Sequence, residues 1–183
     1  TKVSLKVRAM KNSNDSELEV WMRGPIPAVP DLLQGIAHAL LQVNEDIQKL
    51  DNSKINKFLW EKPFGMASIA FHMQHIAGVA DRMLTYSQGE SLSEKQFEQL
   101  RLEGILNDEI QVSYLKEKLS NSIHNFVEQL KKIDSYTLTQ VRFLGRKKIP
   151  TTQIGLLFHA AEHAQRHYGQ LLSTVKILQH GIA

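Results

Sequence analysis

The chain has 183 residues, is 42% hydrophobic, and carries 22 Lys+Arg against 19 Asp+Glu for a formal charge of +3. That is long enough to bury one substantial core and too short to need two. The charge excess is mild, which argues against a dedicated nucleic-acid binder. The absence of cysteine excludes disulfides, thiolate metal ligands and a cysteine nucleophile.

Residues 1–24 are expected to be separate from the rest. Val3, Leu5 and Val7 alternate with polar neighbours, as do Leu18, Val20 and Met22, with the polar run Asn12–Ser16 between them, so a small hairpin is one reading of this segment. No stretch combines the charged, apolar and small-residue regions of a signal peptide, and no apolar run reaches 18 residues; a cytoplasmic protein without membrane association is expected. Pro25, Pro27 and Pro30 then impose an extended path, and Pro30-Asp31 suits a helical first turn. A single domain is expected over residues 25–183.

Leu33, Ile36, Leu40, Val43, Ile47 and Leu50 recur at three- and four-residue steps and predict a first amphipathic helix. Pro63-Phe64-Gly65 opens a second, from about Met66 to Tyr86, apolar on nearly every side and so expected to be central. Ser93 and Gln96 have the spacing of a capping box for a short helix over 94–104. A third long helix follows with the seam Val112, Leu115, Leu119, Ile123, Phe126, Leu130 and Ile133. Gly145 and Pro150 mark a loop, Thr151 or Thr152 is placed to cap, and a fourth long helix runs to about Leu178. The fold class is all-α. Glycines fall inside predicted helices at 35, 78 and 169; close backbone approach near the histidine level is the explanation offered for Gly78 and Gly169.

The histidines carry the chemistry. Eight histidines spread evenly over this length would put about 0.4 in a nine-residue window, yet His159, His163 and His167 fall in one. Their four-residue spacing puts them on one helical face, within reach of a shared ion. His72 and His75 lie on the second helix. Together they predict a divalent-metal site across two helices, with zinc the leading ion and nickel or iron the alternatives. His159-Ala-Ala-Glu162-His163 also fits the inverted zinc-protease pattern, but no acidic residue follows Glu162 to complete that site.

Three stretches, Trp21–Pro25, Ser68–Ala77 and Gly155–Leu172, resemble the DinB-like superfamily, a damage-inducible family distinct from the polymerase of similar name; the resemblance runs from about Trp21 to Leu178. It implies an up-up-down-down four-helix bundle, commonly a homodimer, with the metal on His75, His163 and His167. His72, His159 and Glu162 remain as neighbours that pack, hydrogen-bond to ligands or face substrate; a salt bridge from Glu162 to a neighbouring helix is expected. Where many relatives carry a glutamate shortly after the second-helix histidine, this chain has Asp81.

The resemblance further implies a thiol-dependent transferase-like or hydrolase-like enzyme acting on a small-molecule substrate with a low-molecular-weight thiol. The alternative is a non-catalytic metal-binding stress-response module. Arg142, Arg146, Lys147 and Lys148 are placed to steer an anionic cofactor if their loop folds over the site. A nucleic-acid role for them ranks lowest, since no recognition helix is evident.

Overall fold

A computed structural model describes residues 18–181. Four long helices, α1 (Gln34–Gln48), α3 (Ile69–Ser87), α5 (Val112–Leu130) and α6 (Gln153–His180), surround one apolar core, with the short helices α2 (Asn52–Ile55) and α4 (Glu94–Leu102) in the connections. The predicted seams are the buried faces: Leu33, Leu40, Val43 and Ile47 on the first, Leu119, Ile123, Phe126 and Leu130 on the third. Helix α3 packs against both α5 and α6, which is why apolar residues surround it on most sides. Among the described residues no helix is long and apolar enough to cross a membrane.

Helix starts follow local chemistry. Ser68 Oγ accepts from Phe71 N at 3.1 Å, Thr152 Oγ1 accepts from Gly155 N at 3.1 Å, and Ser93 with Gln96 forms the expected reciprocal box. Pro63–Gly65 makes an isolated 3-10 turn, so α3 begins at Ile69, capped by Ser68, rather than at Met66. Val3, Leu5 and Val7 lie outside the described residues. The alternation at Leu18, Val20 and Met22 is not a strand: Val20–Arg23 is a 3-10 turn docked on α1, with Val20 N donating to Gln42 Oε1 and Arg23 paired with Glu45. The expected loop before α6 is instead an antiparallel hairpin of β1 (Val141–Leu144) and β2 (Ile149–Thr152). Its four-residue strands and internal Pro150 hide it from pattern reading.

Helix directions correct the expected order. Asn44 reaches Ser120 while Gln48 reaches Lys116, so α1 and α5 are antiparallel. His72 meets His167, His75 meets His163 and Gln153 meets Ser87, so α3 and α6 are antiparallel. Gln165 donates to Ala39 O, and Tyr168, whose phenol pKa is raised by burial and by Asp46, lies beside the later part of α1, so α1 and α6 run the same way. The order is therefore up-down-down-up, not up-up-down-down. Residues 49–68 turn the chain back at one end, where Ala70 N donates to Leu59 O and Asn56 caps the start of α5 through Val112 N. The 88–111 connection carrying α4 then returns along α3 before α5 begins.

Candidate metal centre

The antiparallel contact of α3 with α6 brings the two histidine sets face to face. Ala160, Ala161 and Ala164 are buried on α6 at this level, and their small side chains let the helices approach closely. His75 Nε2 lies 2.9 Å from His163 Nε2, and the His167 ring centroid is 4.5 Å from that of His75 and 4.4 Å from that of His163. One ligand nitrogen from each of His75, His163 and His167 lies within 4.8 Å of the other two. His38, His124 and His180 are elsewhere: His38 meets Gly24 O, His124 meets Ser120 O, and His180 ends α6.

Outer partners fix two of the rings. His75 Nδ1 is 2.6 Å from Glu103 Oε2, and the other oxygen of Glu103 accepts from Arg82 Nη1 at 2.6 Å; the acid and guanidinium side chains are each 6% exposed. A carboxylate paired with arginine is acceptor-only, so the His75 proton resides on Nδ1 and the Nε2 lone pair faces the cluster. His72 Nδ1 lies 3.0 Å from His167 Nδ1, leaving His167 Nε2 for the centre. Phe71 stacks on His75 with centroids 5.0 Å apart and an interplanar angle of 14°.

The donor set fits a divalent ion. Four-coordinate zinc with nitrogen ligands at about 2.0–2.1 Å separates those nitrogens by roughly 3.4 Å, a spacing small ring movements would reach from this arrangement. The facing Nε2 atoms of His75 and His163 also need a proton or a cation between their lone pairs. If a proton on His163 Nε2 fills that need, His163 Nδ1 becomes a bare lone pair, and that atom is buried with no partner. Burial, followed by the charges of neighbouring histidines, lowers the pKa of His72 and of His163 from 6.5 to about 4; burial, followed by His75 and Arg166, does the same for His167. All three are neutral at pH 7, as ligation requires.

The unfolded chain takes up protons near pH 6.5 that the folded chain refuses until about pH 4, so stability falls as pH drops through that window and is fully present above it. Urea midpoints of metal-free protein should decrease from pH 6.5 to 5, and the decrease should be smaller in His72→Gln. A flat midpoint over that range would contradict neutral buried imidazoles.

The remaining predicted neighbours divide. His159 Nδ1 bonds Glu162 Oε1 at 2.7 Å, and Glu162 also pairs with Arg166, so its salt bridges stay within α6 rather than reaching another helix. His159, Glu162 and His163 form a second group able to hold an ion. Asp81 accepts from Gln96 Nε2 and plays no part at the histidines. Arg142 Nε donates to Ser87 O at the far end of α3, about 18 Å of helix from His75, and Arg146 lies over Phe97. Those two basic side chains are therefore engaged away from the cluster.

Glu103, Arg82 and Phe71 were not legible beforehand. Glu103 lies 28 residues from His75, past the end of α4, and no spacing rule links them. The one usable signal was Gly78: a Cβ there would collide with Glu103 Oε1 and Arg82 Nη1, whereas Gly35 and Gly169 have open space. Close approach therefore explains Gly78 and not Gly169. No family model matches the chain, and no curated protein matches it either.

Proposed function

We propose that this protein is a divalent-metal protein of the DinB-like kind, a four-helix bundle that holds its ion on His75, His163 and His167 and acts as a thiol-dependent transferase or hydrolase on a small molecule. The observation that carries the reading is the convergence of these three imidazoles, with two of the rings set by outer hydrogen bonds. Zinc is the leading ion and nickel or iron the alternatives; the homodimer that the resemblance implies belongs to the same proposal.

An ion on three neutral ligands keeps its full charge and an open position, and so supplies Lewis acidity that favours deprotonating a thiol or water bound to it. The protein's own residues prepare the site. Glu103, itself paired with Arg82, holds the proton on His75 Nδ1, and His72 accepts the Nδ1 proton of His167. Phe71 covers one face of His75 and limits water there. Glu162 is paired with Arg166 and hydrogen-bonded to His159, which lowers its pKa despite some burial, so it is poorly suited to act as base.

The second reading is a metal-binding stress-response module without turnover. Cobalt substitution separates the two. Titrating the Co(II) protein with low-molecular-weight thiols should produce sulfur-to-cobalt charge-transfer absorption that is lost in His75→Ala. A spectrum indifferent to every thiol, in protein that does bind cobalt, would overturn the thiol reading and favour the module.

A further inference from the structure

A cavity of about 650 Å³ lies between α3, α4 and α5, in the range that receives small molecules. Met73, Ala77 and Gly78 form its α3 wall. At roughly 100° per residue Met73 and Ala77 sit about 160° around the helix from His75, whereas Gly78 lies one turn along from His75, and Glu103, which bonds His75 Nδ1, lines the cavity too, so the cavity and the histidine cluster share that carboxylate. The outer wall carries Leu102, Ile105 and Leu106, which are 53%, 57% and 62% exposed. Large apolar side chains left contiguous and open mark a binding surface more often than an inert one.

The polar groups of the cavity are unequal in their partners. Asp81 accepts from Gln96, Glu103 is held by Arg82 and His75, Gln74 accepts from Gly104 N, and Ser122 donates to Ala77 O. Lys95 and Lys118 also line it; among the described residues neither has a carboxylate partner, and Lys118 rests over the Tyr114 ring at 5.4 Å. Asp81 is bonded by a neutral amide and Glu103 is offset by Arg82, so the two lysines outnumber the one uncompensated acid and the net charge beside the apolar interior is positive. Two lysines without an arginine fork suit a single carboxylate, and the nearby acids Asp81 and Glu103 disfavour a dianion.

We propose that this cavity binds an apolar monocarboxylate, its hydrocarbon or aryl body among Met73, Leu102, Ile105 and Leu106 and its carboxylate on Lys95 and Lys118. The proposal does not rest on the metal reading, although the cavity shares Glu103 with the histidine cluster. Calorimetric titration of the full chain with decanoate should give saturable binding of one molecule per chain. Decanol should bind at least tenfold more weakly, Lys95→Gln and Lys118→Gln should each weaken decanoate several-fold, and His163→Ala should leave it unchanged. Filling the cavity with Ala77→Phe, or from the exposed α4 wall with Gln99→Trp, should abolish it. Absence of saturable binding, equal affinity for decanol, or undiminished binding in both filling variants would overturn the proposal. Loss of binding in His163→Ala would do so too, by assigning the carboxylate to the histidine cluster.

Discussion

His167→Ala and His163→Ala are each expected to abolish stoichiometric metal, from one ion per chain to a trace after dialysis, in protein purified without a nickel column. Each removes one of the three imidazole nitrogens that converge in the first group, so the loss should exceed the roughly 10–100-fold that deleting an outer partner costs. His75→Ala should behave alike. His38→Ala, His124→Ala and His180→Ala should keep full occupancy, because those rings lie at other places in the fold. The informative contrast is His159→Ala, which touches only the second group of His159, Glu162 and His163. Metal retained in His167→Ala but lost in His159→Ala would show that the outer group is the true chelate. The apo-protein should stay helical in every case, since the core seams do not involve these histidines.

The second large effect is expected at Glu103. Replacing it by Ala leaves Arg82 charged and unpaired at 6% side-chain exposure, and breaking a buried pair in this way costs about 3–5 kcal/mol. For a domain of this size that lowers Tm by roughly 6–20 °C. It also frees the His75 ring, so metal affinity should fall roughly 10–100-fold. The two effects separate in the double variant Glu103→Leu with Arg82→Met: stability should largely return, because the uncompensated charge is gone, while metal affinity stays low. Recovery of both together would mean that Glu103 acts on the metal only through stability. Gly78→Ala probes the same contact from the other side. A helical Gly→Ala change normally stabilises by roughly 0.5–1 kcal/mol, whereas here the new Cβ must displace the Glu103–Arg82 pair, so a lower Tm is expected.

What the sequence by itself determined was everything that depends on backbone periodicity. The 3.6-residue repeat is fixed by covalent geometry, so Leu33 to Ile47 and Leu115 to Leu130 had to form buried stripes, and His159, His163 and His167 had to share one face. The caps at Ser93 and Thr152 were legible for the same reason, since each bonds an amide three residues on. Only the tertiary structure decided how these stripes meet. The direction of α3 relative to α1 depends on how residues 49–68 turn, and a few polar residues in a loop do not encode a direction that can be read locally. That turn, with the antiparallel docking of α3 on α6, pairs His72 with His167 and His75 with His163. The path of the 88–111 connection places Glu103 against His75 across 28 residues of sequence, a pairing set by packing of α4 and its flanking loop on α3 rather than by any repeat in the chain.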